Sequence, residues 1–125
     1  MRTLKFILIL FSIFFYLNSF AQKAKTYKGV YNKENVLFVI TENSDQSYEG
    51  YFYNPKTPNK KKGITFTIYD TFLDVTLFNK YKNGTFEDII ADGKITNTNG
   101  KNWSGYLEID DDRKIYLQIN NFKNK

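Results

Sequence analysis

Gly63-Ile64-Thr65-Phe66-Thr67-Ile68-Tyr69-Asp70-Thr71-Phe72-Leu73-Asp74-Val75-Thr76-Leu77-Phe78 is the stretch that decides the fold. Ile64, Phe66 and Ile68 alternate with Thr65, Thr67 and Tyr69; Leu73, Val75 and Leu77 alternate with Asp74, Thr76 and Phe78. Successive side chains of a strand point to opposite faces, so this period of two reads as two strands, each with one face in a core and one face in water. Only a few residues separate the runs, too few for a crossover, so the strands must run antiparallel.

The pattern extends in both directions. Ile115, Leu117 and Ile119 oppose Tyr116 and Gln118, and Trp103, Gly105, Leu107 and Ile109 oppose Ser104, Tyr106 and Glu108. Val36 to Ile40 is apolar at every position, which reads as a more central strand. Asn32 to Asn35, Asn43 to Ser47, Asn79 to Gly84, Asn97 to Gly100 and Asp110 to Asp112 are turn compositions, rich in residues that tolerate left-handed backbone or bond to it locally. Asn99-Gly100 is the strongest hairpin signal among them. Strands are therefore expected near 27–31, 35–42, 48–54, 64–70, 72–79, 86–95, 102–109 and 113–120. The fold class is all-β, a single meander of about eight strands, curled or closed into a small barrel so that its edges pair. One segment fits two readings. Phe86, Ile89 and Ile90 are spaced three and four apart behind Thr85 and Asp88, which suits a short helical turn near 86–92 as well as it suits a strand.

Composition agrees and narrows the chemistry. Behind residue 21 the chain holds nine Tyr, seven Phe and one Trp, side chains that suit a pleated surface, and few of the strong helix formers. The sequence has no Cys and no His. That removes disulfides, the usual zinc sites, Ser-His-Asp and Cys-His nucleophile systems and a neutral-pH imidazole switch. No cofactor and no metal is called for by these residues.

The N-terminus carries an address. Arg2 and Lys5 precede an unbroken apolar run from Phe6 to Leu17, and Ser19 and Ala21 place small residues at the −3 and −1 positions of a cleavage site. This is the order of a secretory signal peptide over 1–21, and the run is shorter than the roughly 20 residues a membrane-spanning helix needs. The expectation is an exported protein, periplasmic or secreted, with one domain over 22–125 and no permanent membrane span. Loss of Arg2 and Lys5 lowers the 18 basic residues to 16 against 13 acidic, a net +3. Such mild basicity does not make a nucleic-acid surface.

A loose repeat runs through the domain: Tyr27-Lys28-Gly29-Val30-Tyr31, Tyr48-Glu49-Gly50-Tyr51-Phe52-Tyr53, Ala91-Asp92-Gly93-Lys94-Ile95 and Trp103-Ser104-Gly105-Tyr106-Leu107. Each sets a glycine inside a strand, where its usual reasons are a bulge, a sharp bend or a ring lying over bare backbone. The pattern resembles small exported bacterial proteins of unknown function, whose mature part is a meander of aromatic-glycine-aromatic strands. The resemblance implies the fold and no reaction. The opening hairpin, from Gly29 through Ile40 to Gly50-Tyr51, is also similar in rhythm to that of avidin-like barrels. Those line their biotin pocket with several Trp residues, and with Trp103 alone biotin binding is not implied.

Four groups of residues are candidates for function. Tyr51, Tyr53 and Trp103, with Tyr27, Tyr31 and Tyr48, could stack on sugar rings or line a ligand mouth. Lys60, Lys61 and Lys62, in the linker from Asn54 to Gly63, could dock an anionic surface. Glu108 and Asp110 to Asp112 supply oxygens at a turn but lack the spacing of a calcium loop, and Arg113 and Lys114 follow directly. Glu49, Asp74 and Glu87 would serve acid-base chemistry if two of them faced each other across a cleft. The residues read best as a non-enzymatic binding domain of the bacterial envelope, whose partner is an envelope protein, a glycan or a small apolar ligand. The alternatives are a His-independent hydrolase or lyase, and an inhibitor or immunity protein.

The leader makes the first testable expectation. Intact mass of the protein recovered from its native host should correspond to a chain beginning at Gln22, and a recovered chain retaining residues 1–21 would contradict the reading.

Overall fold

The computed structural model describes residues 23–122, so the leader read over 1–21 lies outside the described residues. Eight strands follow in order: β1 (Lys25–Tyr31), β2 (Glu34–Ser44), β3 (Ser47–Tyr53), β4 (Lys62–Ile68), β5 (Phe72–Lys82), β6 (Thr85–Asn97), β7 (Asn102–Asp110) and β8 (Arg113–Asn120). Each pairs antiparallel with the next, and β1 returns to β8 through Gly29↔Ile119, Val30↔Gln118 and Tyr31↔Leu117, closing the barrel.

The alternation in sequence becomes inside and outside. Val36, Phe38 and Ile40, Ile64, Phe66 and Ile68, Leu73, Val75 and Leu77, and Ile115, Leu117 and Ile119 are all buried in one apolar core. No polar or charged side chain among the described residues is buried with them. The outer wall carries Glu49, Thr65, Asp74, Lys94, Ser104, Glu108 and Lys114 at paired strand positions. That polarity, apolar within and charged without, is the inverse of a membrane-spanning barrel.

Barrel curvature sets the strand glycines. A Cβ on Gly50 would collide with the Val39 carbonyl oxygen of the neighbouring strand and lie 3.1 Å from the Ile40 Cα. At Gly105 the approach is milder, 3.1 Å to the Lys94 oxygen and 3.2 Å to the Ile95 Cα.

One end of the barrel is plugged from beyond its last strand. Asn121 turns the chain with φ 61°, its N–H bonded to the Lys101 carbonyl at 2.8 Å. Phe122 then enters the core, 3 % exposed, and its ring meets Tyr27 at 5.3 Å, Tyr48 at 5.1 Å and Phe66 at 5.2 Å, each edge-on. Edge-to-face rings place positive edges on negative faces. The Phe122 carbonyl also accepts the buried Trp103 indole N–H at 2.9 Å, which satisfies the one polar atom of that side chain.

Three expectations are corrected. The segment 86–92 contains no helical turn; it belongs to β6. The register slips by one residue between Leu77↔Ala91 and Phe78↔Ile89, leaving Ile90 unopposed, and Asp88 takes φ 60°. This extra residue shifts the phase of the alternation, which is how a strand acquires helix-like spacing. The hairpin of β5 and β6 is also longer than expected. Asn79 to Lys82 continue the strand, and only Asn83 and Gly84, both with positive φ, make the turn. Asn99-Gly100 does fall in a hairpin, in the loop spanning 98–101 that joins β6 to β7, where the Asn97 and Asn99 side chains accept backbone N–H groups. Finally, β2 is no more central than any other strand, because a closed barrel has no edge; Leu37 and Val39 face outward, half-buried, opposite Tyr53 and Tyr51 of β3.

Phe122→Ala should cost about 3–5 kcal/mol in denaturant melts, as for other buried aromatic truncations. Gly50→Ala should destabilise by more than about 1 kcal/mol and by more than Gly105→Ala, because the Val39 backbone cannot yield. Stabilisation by Gly50→Ala would show that the strand does not bend there.

Candidate functional site

Apolar side chains occupy the barrel interior, so the residues available for binding lie on the wall and at the loops. One row crosses four strands on the outside: Val39 of β2 pairs with Tyr51 of β3, Tyr51 with Gly63 of β4, and Gly63 with Phe78 of β5. Leu37 pairs with Tyr53 beside it. The all-apolar run in β2 thus serves two faces: Val36, Phe38 and Ile40 supply the core, and Leu37 and Val39 support this outer row.

The far end of the β5–β6 hairpin folds over the row. Phe86 lies on the bare backbone of Gly63, where a Cβ would stand 2.5 Å from Phe86 Cδ1 and 3.3 Å from Phe78 Cβ. From there the rings run continuously across the wall. Phe78 and Phe86 are 5.1 Å apart, Phe86 and Tyr81 5.2 Å, Tyr81 and Tyr51 5.0 Å and stacked, and Tyr51 and Tyr53 6.1 Å. Each such pair adds about 0.5–1.5 kcal/mol beyond its buried area. These contacts hold the projecting hairpin, hereafter the arm, against the wall.

A cleft opens where the arm faces the loop between β3 and β4. Pro58, Asn59 and Lys61 form one bank, Tyr81, Lys82 and Asn83 the other, and Tyr51 the floor, around a volume of about 460 Å³. That lies within the roughly 300–1,000 Å³ of ligand clefts. The loop is built rather than slack. Asn54 accepts the Lys56 N–H on its side chain at 2.9 Å and the Thr57 N–H on its carbonyl at 2.8 Å, and donates to Glu34 at 3.2 Å. Lys61 holds its ammonium 4.6 Å from the centre of the Tyr51 ring, a cation–π contact. Lys62 donates to the Asn79 side chain at 3.0 Å, tying the loop to the arm.

Of the residues singled out in the sequence, Tyr51, Tyr53, Lys61 and Lys62 are brought together here, and Lys60 is exposed on the same loop. Trp103 stands apart, 5 % exposed in the core, its N–H given to Phe122. Tyr27, Tyr31 and Tyr48 pack at or against the core, and burial pushes each phenol above its ordinary pKa, with Glu34 adding to the rise at Tyr31 and Glu42 at Tyr48. In the sequence Tyr81, Lys82 and Asn83 carry only the signal of a turn composition; their place depends on how the arm folds back.

The acidic groups do other things. Asp110 accepts Arg113 Nε at 2.7 Å and Nη2 at 2.6 Å, together with the N–H groups of Asp112 and Arg113. The Arg113 hydrogen bond and then the Asp112 N–H hold its carboxyl below the usual value. Glu49 and Asp74 stand on the outer wall, each opposite a threonine of β4, and Glu87 lies on the arm opposite Lys80. Against family models, curated proteins and solved structures alike, the chain finds no match.

If Phe86 on Gly63 is what docks the arm, Gly63→Ala should displace that ring and unstack Tyr81 from Tyr51. Aromatic NMR should then move the Tyr51 and Tyr81 resonances toward free-tyrosine values while Leu107 and Leu117 methyls stay in place. Unmoved tyrosine resonances would mean that the arm is held by something else.

Proposed function

We propose that this is a non-enzymatic exported binding domain whose ligand is a glycan, taken in the cleft between the arm and the β3–β4 loop. The observation that carries the reading is Tyr51 on the floor of the cleft, stacked against Tyr81 of the arm, between banks that present Asn59, Asn83, Lys61 and Lys82. Sugar rings are apolar on their faces and polar at their rims. Aromatic floors with amide and ammonium rims match both parts, and the aromatic side chains lose little conformational freedom on binding.

The remaining observations fit the same reading. An interior occupied by aliphatic and aromatic side chains leaves a small apolar ligand little room within the barrel. The carboxylates of Glu49, Asp74 and Glu87 lie outside the cleft lining, whereas glycoside hydrolysis needs two carboxyl groups flanking the scissile bond. The leader of residues 1–21 would deliver the domain to the envelope, where glycans are abundant.

Titration calorimetry against a panel of envelope-type oligosaccharides tests the proposal. Tyr51→Ala and Tyr81→Ala should each weaken binding by about tenfold, the equivalent of about 1.4 kcal/mol, while Tyr106→Ala on the opposite wall should leave it unchanged. Binding insensitive to both cleft tyrosines would place the site elsewhere. Shortened oligosaccharides after prolonged incubation would make the domain an enzyme.

A further inference from the structure

We propose that the glycan is acidic, a linear chain of uronate residues, and that Lys61 and Lys82 read its carboxylates. This deepens the glycan reading above and rests on it. The lining of the cleft holds two lysines on opposite banks and no carboxylate. Asp88 pairs with Lys80 at 3.7 Å, Glu34 accepts from Asn54, and Glu87 lies opposite Lys80, and none of the three is in the cleft lining. Lys60 and Lys56, exposed on the same loop, add to the positive field.

The placement of Lys61 gives the inference its chemistry. With no carboxylate in the cleft lining, its ammonium sits 4.6 Å from the centre of the Tyr51 ring, and the π face serves as its counter-charge. That ring has Tyr81 stacked against it as well. A sugar can use the Tyr51 face only by moving the ammonium aside. A neutral sugar offers only hydroxyl oxygens in exchange, with no counter-charge. A uronate carries its carboxylate directly on a ring carbon, so one residue can take the ammonium in a charge-assisted hydrogen bond and lay its apolar face on the vacated tyrosine. Lys82, from the arm, meets a carboxylate further along the chain. An anionic surface lacking the sugar ring would gain the charge contacts but not the stacking. The exposed apolar side chains Tyr69, Ile89 and Tyr106 lie outside the cleft lining.

The experiment is calorimetric titration of the full chain with oligogalacturonate, its fully methyl-esterified counterpart, a short single-stranded oligonucleotide and vesicles rich in anionic lipid. The uronate should bind at least about tenfold tighter than the methyl ester at low salt, and the gap should close as salt rises toward about 0.5 M. Lys61 and Lys82 are exposed, so their variants should fold. Lys82→Gln should weaken uronate binding by a larger factor than it weakens binding of the ester. Lys61→Gln should weaken the uronate and strengthen the ester, because the ring face is freed; a merely electrostatic lysine would not do the latter.

Equal binding of uronate and ester, lost in Tyr51→Ala, would overturn the acidic preference and leave the glycan reading standing. Binding of neither would overturn both. Oligonucleotide or vesicle binding as tight as the uronate's, through the same two lysines, would show a plain charge patch and overturn this proposal.

Discussion

β1 meets β8 through only three paired residues, and that short seam is what makes this chain a barrel rather than a curled sheet. The approach there is tight. A Cβ on Gly29 would collide with the Gln118 carbonyl and press on the Phe38 ring, so the seam closes because position 29 carries no side chain. Closure leaves no barrel edge open to another strand, which is the hazard of an exposed sheet. It also fixes which face of every strand points inward, since a slip of one residue would turn eight apolar faces to water.

With no cysteine in its 125 residues, the chain must stabilise its core by packing alone. The chain meets this by occupying the interior with its largest apolar side chains and plugging one end with Phe122. The cost is functional: the interior of an eight-stranded barrel, which in wider barrels receives a ligand, is here given to side chains. The open cleft lies on the outer wall instead, where the longest hairpin folds back on the aromatic row.

Gly63 is to the arm what Gly29 is to the seam. In both places a missing side chain lets something lie on bare backbone, the Gln118 carbonyl in one case and the Phe86 ring in the other. The arm in turn brings Lys82 and Asn83 opposite Lys61 and Asn59, residues more than 20 positions apart in sequence. Cation–π contact, ring stacking and the Lys62 to Asn79 hydrogen bond then hold the two banks around Tyr51.

The sequence by itself determined the strands, their antiparallel order and the inward faces of Ile64, Leu73, Ile115 and their neighbours, because alternation is a local property of the chain and burial follows it directly. It marked Tyr51, Tyr53 and Lys60 to Lys62 as candidates on residue type alone. It could not show that Phe122 seals the core, that Trp103 is satisfied inside it, or that residues 86–90 carry a bulge rather than a helical turn, since a helix-like spacing and a phase-shifted strand look alike in one dimension. Nor could it place Tyr81 over Tyr51. That contact depends on a one-residue register slip, a bare Gly63 and the direction in which a hairpin projects, and each of these is decided by which backbones approach one another only once the barrel has closed.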